Sequence, residues 1–182
     1  DEGEHFRLDE IGNRAVLSES ADAPVSIPVL FAEHVQRAPE AVAISFEGRS
    51  MSYREVEEAA NRLAHLLAGR GVGPGGCVAL LFDRSPEAIV AILAVLKTGA
   101  AYLPIDSAHP PERIGFMLAD AAPVAAITTT GLRPRLDGFD VVVIDVDDPA
   151  VDSQPSTALS APGPADIAYL IYTSGTTGVP EV

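Results

Sequence analysis

The chain has 182 residues, about one domain by length, and its 47% hydrophobic and 21% charged residues provide enough apolar mass for a folded core. Twelve Lys+Arg against 26 Asp+Glu leave a formal charge of −14, which argues against a nucleic-acid binder and against a protein held on anionic lipid. One cysteine, Cys77, excludes an internal disulfide framework and an all-cysteine zinc site, and His5, His34, His65 and His109 are too scattered for a metal-ligand pair.

Residues 1–27 are polar and close on the turn-rich run Ser18–Pro24, which reads as a linker. The acidic start, Asp1–His5, lacks the basic and then apolar order of a secretory signal. Pro28 opens a short helix with Leu30, Phe31, His34 and Val35 on one face, and Pro39 stops it. Ala41–Phe46, the turn Glu47-Gly48 and Ser50–Tyr53 predict a hairpin. Glu55–Gly71 is an amphipathic helix with Val56, Ala60, Leu63, Ala64 and Leu67 on one side.

Cys77–Phe82 is continuously apolar, the pattern of a strand buried on both faces. Ser85-Pro86-Glu87 caps a helix over Ala88–Lys97 that ends at Gly99. Ala88–Leu96 is the longest apolar run and falls far short of the roughly 18 residues that a membrane span needs. A soluble, reduced, cytoplasmic protein is the expectation. Ala101–Pro104 predicts a strand, Pro111–Asp120 a helix, and Val124–Thr128, Val141–Ile144 and Ile167–Tyr172 three more strands. This alternation predicts an α/β fold of mostly parallel strands with flanking helices. The six aspartates of Asp137–Asp152 come without a cation, but an EF-hand's spacing and glycine are missing, so the stretch reads as a solvated loop with no metal.

The most informative segment follows the last predicted strand: Tyr172-Thr-Ser-Gly-Thr-Thr-Gly-Val-Pro180. Thr173, Ser174, Thr176 and Thr177 supply neutral hydroxyl donors, while Gly175 and Gly178 let successive backbone N–H groups turn toward one anion. A strand that delivers such a loop at its C-terminal end places it where α/β sheets bind ligands. The Gly-Lys-Ser/Thr ending of a Walker loop is absent. Composition alone leaves an ordinary Ser/Thr/Gly loop open; the ordered string is far more specific.

Tyr172–Pro180 resembles the phosphate-loop signature of adenylate-forming enzymes. Leu96-Lys-Thr-Gly-Ala-Ala-Tyr-Leu-Pro-Ile-Asp106 and Met51-Ser-Tyr-Arg-Glu-Val56 resemble the second and first core motifs of the amino-acid-activating adenylation domains of nonribosomal peptide synthetases. In the first motif, Met51 and Val56 stand where leucine is commoner. The spacers Asn61–Leu67 and His109–Ile114 are also similar, and the likeness covers residues 28–180. It implies that 28–182 is the N-terminal part of an adenylation domain and that 1–27 is the linker following a condensation domain.

The implied chemistry is attack of an amino-acid carboxylate on the α-phosphate of ATP with Mg2+, then acyl transfer to the phosphopantetheine thiol of a carrier domain. By resemblance Thr173, Ser174, Gly175, Thr176, Thr177 and Gly178 hold the β- and γ-phosphates, by positioning and charge stabilisation. The implied partners are the amino-acid substrate and the condensation and carrier domains of one synthetase, with no nucleic acid and no membrane. The adenine, magnesium, ribose and acceptor contacts and a mobile lysine are implied beyond residue 182, so no catalytic residue is assigned, the amino acid cannot be read, and the 182-residue chain alone is expected to be inactive. A non-catalytic remnant, or an interaction module keeping only the start of the fold, is the alternative.

Tyr53, Tyr102, Pro104, Asp106 and His109 read as structural, and Cys77 as a small core residue. Lys97, the chain's one lysine, reads as a solvated helix end whose charge suits the dipole. The signature departs from its usual Pro-Lys-Gly ending at Pro180-Glu181-Val182. Two unit charges 4 Å apart are worth roughly 4 kcal/mol at an effective dielectric of about 20, so replacing a cation by Glu181 is expected to weaken phosphate binding.

Overall fold

The structure, a computed structural model, describes residues 23–173. Helix α1 (Ile27–Arg37) leads into strands β1 (Val42–Phe46) and β2 (Arg49–Ser52) and then helix α2 (Tyr53–Gly69). Next come β3 (Cys77–Phe82), α3 (Pro86–Lys97), β4 (Ala101–Asp106), α4 (Pro111–Ala121) and β5 (Ala125–Thr128). A 3-10 turn at Arg133–Leu136, β6 (Val143–Asp145) and the short α5 (Pro149–Asp152) complete the elements. The predicted linker over 1–27 lies outside the described residues except for 23–27, of which 23–26 lead into α1 and Ile27 opens it.

Strands β3 to β6 form one parallel sheet in the order β4-β3-β5-β6. Successive side chains of a strand face opposite ways, and both faces are covered. Val78 and Leu80 join Ile127 and Ile144 against α2 and α3, through Val56, Leu63, Leu67, Val90 and Ala94. Ala79 and Leu81 join Leu103, Ile105 and Ala126 against Ile114, Met117 and Leu118 of α4 and Leu136 of the 3-10 turn. The predicted α/β fold of parallel strands with flanking helices is the one observed.

Local chemistry sets the helix boundaries. Ser52 and Glu55 form a reciprocal capping box, with Ser52 N–H donating to Glu55 Oε2 at 2.7 Å and Glu55 N–H donating to Ser52 Oγ at 3.3 Å. The Ser52 N–H and, at 2.8 Å, the Ser52 hydroxyl both donate to the Glu55 carboxylate and hold it below its usual range, and the box starts α2 at Tyr53, two residues before the predicted start at Glu55. Ser85 Oγ accepts from Ala88 N–H at 3.3 Å, with Pro86 at the first helical position of α3. Helix α4 closes on Ala122 at φ 42°, ψ 56°, a left-handed conformation that costs an L-residue roughly 1–2 kcal/mol. Ala122→Gly removes that strain at some cost in chain entropy, so urea unfolding is expected to show a net gain of about 0.5–1 kcal/mol.

Beyond such shifts of one or two residues, as where β4 runs to Asp106 past the predicted end at Pro104, three differences from the sequence reading have a particular local setting. β6 starts at Val143, two residues after the predicted start: Ala126 N–H of β5 still donates to Val142 O at 2.9 Å, while Val141 N–H turns back on Phe139 O at 3.0 Å. Ile167–Tyr172 is an extended segment joined to the sheet by one bridge, Tyr102 to Tyr169, instead of a continuous strand. Tyr102 N–H donates to Ala168 O at 3.0 Å and Leu170 N–H donates to Tyr102 O at 2.9 Å. The next ladder donor on β4 would be residue 104, and Pro104 has no N–H.

Lys97 is the third. It is not solvated: the residue is 6% exposed and its Nζ lies 2.7 Å from Glu57 Oε1 of α2. Asn61, one turn further along α2, donates from Nδ2 to Ser156 O at 2.8 Å and so ties the segment after α5 to the same spot. The last turn of α3 packs on α2, which buries a helix end that the local sequence presents as free.

Candidate functional site

The parallel bridge at Tyr102 and Tyr169 aligns the 167–173 segment with β4, so the chain leaves Tyr172 toward the C-terminal edge of the sheet. Along it the side chains alternate. Ile167, Tyr169 and Ile171 are exposed, whereas Leu170 and Tyr172 pack on the hydrophobic cluster that includes α4. Thr173 is exposed at the end of this segment. Of the predicted phosphate-loop residues only Thr173 is placed; Ser174, Gly175, Thr176, Thr177 and Gly178 lie outside the described residues.

Tyr172 is anchored just before the loop, and three of its contacts come from α4. Its hydroxyl donates to Asp120 Oδ2 at 2.6 Å. Its ring meets Phe116 edge-on, with centroids 6.0 Å apart. The Arg113 guanidinium carbon sits 5.6 Å from the Tyr172 centroid and 5.7 Å from that of Phe116, within cation–π range of both. Burial, the bond to Asp120 and that carboxylate's charge push the Tyr172 phenol up to about 12, so it stays protonated as a donor. Sequence reasoning missed Arg113, Phe116 and Asp120. Their spacing of i, i+3 and i+7 put them on one helical face, but their partner lies 52 residues away from Asp120.

Beside this edge a cavity of about 400 Å³ opens between the hairpin, the end of β3 and the start of α3. Its wall is mainly apolar, from Ile44, Phe46, Phe82, Ile89 and Pro104, with Arg84 at the rim. Asp83, following β3, accepts the Ser107 hydroxyl and ties together the two loops that leave β3 and β4. Asp106 Oδ1 accepts from Ala108 N–H at 2.8 Å, and Tyr53 packs on Phe31 and His34 with centroids 5.4 and 4.3 Å away. These motif residues brace junctions of the fold.

Among the described residues no three His, Cys, Asp or Glu side chains converge as metal ligands. The aspartates near β6 act as local acceptors: Asp145 from Thr130 and Asp147 N–H, Asp148 from Ala150 N–H at the start of α5. Burial pushes the half-buried Cys77 thiol up to about 11, which leaves it inert as a nucleophile at neutral pH. No helix of the described residues is long and apolar enough to cross a membrane. Among the described residues the arrangement brings Thr173, with its hydroxyl, to a sheet edge.

The profile of the family described as AMP-binding enzyme matches residues 31–181. The chain is 60% identical over 178 residues to an isonitrile lipopeptide synthase of Mycobacterium tuberculosis, covering 98% of this chain and 7% of that protein. It is 45% identical over 160 residues to tyrocidine synthase 2 of Brevibacillus parabrevis, covering 87% of this chain and 4% of that protein. The chain thus spans a small part of the relatives it matches. Among solved structures it superposes on the nonribosomal peptide synthetase FmoA3 bound to alpha-methyl-L-serine-AMP, with a TM-score of 0.79 and 31% identity over 86% of this chain and 18% of that one. It also superposes on the N-terminal subdomain of Klebsiella oxytoca NpsA, with a TM-score of 0.74 and 30% identity over 86% of this chain and 40% of that one.

Proposed function

Because the chain belongs to the AMP-binding enzyme family, as the N-terminal part of an adenylation domain of nonribosomal peptide synthetase type, we propose that it carries the phosphate-binding side of an amino-acid-activating site. A carboxylate oxygen of the amino acid forms a bond to the α-phosphorus of ATP, the bond from that phosphorus to the β-bridging oxygen breaks, and pyrophosphate leaves. The aminoacyl group then passes to the phosphopantetheine thiol of a carrier domain, releasing AMP. Residues 1–27 join this unit to a preceding condensation domain.

One observation carries the reading. The pairing of 168–170 with Tyr102 directs the chain, as far as Thr173, to the C-terminal edge of a parallel sheet, which supports this reading of the hydroxyl- and glycine-rich sequence that follows. The donor set fits a polyphosphate: the hydroxyls of Thr173, Ser174, Thr176 and Thr177 and the backbone N–H groups near Gly175 and Gly178 are neutral donors that hold the β- and γ-phosphates. Mg2+, when bound, neutralises phosphate charge.

The test is amino-acid-dependent ATP–pyrophosphate exchange by the complete synthetase. Replacing Thr176 and Thr177 together by alanine is expected to cut exchange at least tenfold, since each donor lost to a charged phosphate removes about 1.5–3 kcal/mol. Glu181→Lys is expected to lower the KM for ATP by restoring a cation near the phosphates. Exchange indifferent to the threonine pair overturns the loop assignment. A complete wild-type protein that exchanges with no amino acid, while folding and binding its neighbours, supports instead the non-catalytic remnant.

A further inference from the structure

The proposed phosphate loop needs a fixed starting point. A loop rich in glycine and small hydroxyls loses much conformational freedom when it closes on a ligand, so whatever anchors its first residue reduces that cost. Among the described residues the last backbone bond from this segment to β4 is Leu170 N–H to Tyr102 O, three positions before Thr173. The next fixed point is a side chain, Tyr172, gripped by three residues of one helix: Asp120 at the hydroxyl, Phe116 at the ring edge and Arg113 over the ring face.

We propose that Tyr172 and Asp120, braced by Arg113 and Phe116, form a latch that sets the position of the phosphate loop, with Asp120 acting as a positioning residue through Tyr172. This rests on the reading of Thr173–Gly178 as that loop. Three features distinguish the latch from ordinary packing. Asp120 and Phe116 are both exposed, so the fold does not need them for its core. The hydroxyl bond at 2.6 Å is directional and charge-assisted, whereas packing alone would be served by phenylalanine at 172. The latch also spans the gap that Pro104 leaves in the backbone pairing of β4 with 167–172. Helix α4 is held by the buried Ile114, Met117 and Leu118, so it offers a rigid support on its outer face.

The test uses the complete synthetase with Tyr172→Phe, Asp120→Ala and the double substitution. Binding of a non-hydrolysable ATP analogue is measured by titration calorimetry, and backbone hydrogen exchange is followed in peptides covering 173–182. Each single change is expected to weaken analogue binding about fivefold to tenfold, a fraction of the worth of one charge-assisted hydrogen bond because the bond acts on the nucleotide only through the loop. Because both remove the same bond, the double variant is expected to be no weaker than the worse single. Exchange in 173–182 is expected to accelerate in all three variants, with the KM for the amino acid and the melting temperature unchanged. Unchanged exchange in 173–182, additive losses, or equal weakening of nucleotide and amino acid each overturn the latch. If the wild-type protein binds no analogue, the phosphate-loop reading fails, and the exchange data still decide whether Asp120 and Tyr172 hold the segment.

Discussion

Lys97→Met is expected to lower the unfolding free energy of the chain by about 3–5 kcal/mol, the range for removing one partner of a buried ion pair. The Lys97 and Glu57 side chains are only 6% and 12% exposed and meet at 2.7 Å. Glu57 Oε1 also lies 3.5 Å from Asn61 Nδ2, while Glu57 Oε2 and Asn61 Oδ1 are buried with no hydrogen-bond partner among the described residues. Methionine fills much of the lysine volume, so the loss isolates the uncompensated carboxylate from any packing change. Lys97→Met combined with Glu57→Leu is therefore expected to recover most of the stability, since well-packed apolar replacements of buried pairs are often neutral or better. Urea titration checks both, and because the pair is shielded from solvent the result is expected to change little between low and high salt. A single-variant loss under 1 kcal/mol would show that water reaches Glu57 and that the pair is effectively exposed.

The same residue shows where sequence reading stops. Lys97 ends an apolar helix, and nothing within a helical turn reveals that α2, 40 residues earlier, covers it with Glu57. The central elements were legible because their signals are local. The continuous apolar run Cys77–Phe82 became β3 residue for residue, and Ser85-Pro86 marked the start of α3. The hairpin turn was also legible, with Glu47 and Gly48 at φ 48° and 77° as a two-residue turn of this kind requires. Ile167–Tyr172 failed as a strand for a reason carried by its partner: Pro104 withholds a ladder donor, and a pairing fault is invisible in the run that suffers it. At the candidate site, the hydroxyl and glycine string was readable in order. The residues gripping Tyr172 were not, because Asp120 bonds it across 52 positions.

Gly99→Ala is expected to cost about 2–4 kcal/mol, from left-handed backbone strain and overpacking together. Gly99 closes α3 at φ +79°, where a side chain is strained whatever the space around it. Space is also short: an added Cβ would lie 2.9 Å from Pro74 Cγ and 3.2 Å from Asp166 Oδ2. Neither neighbour yields easily. Pro74 Cγ belongs to a closed ring, and Asp166 is held through Gly163 N–H, which donates to Oδ2 at 2.8 Å. Gly138, at φ +84° with nothing within 4 Å of an added Cβ, isolates the strain alone. Gly138→Ala is therefore expected to cost about 1–2 kcal/mol, and the difference between the two measures the contact with Pro74 and Asp166. Urea midpoints at unchanged slope provide the comparison. Equal losses at the two glycines would mean that Pro74 and Asp166 move aside freely. In that case the segment from Gly163 to Asp166, which leads into the residues paired with β4, is not held in place by the end of α3.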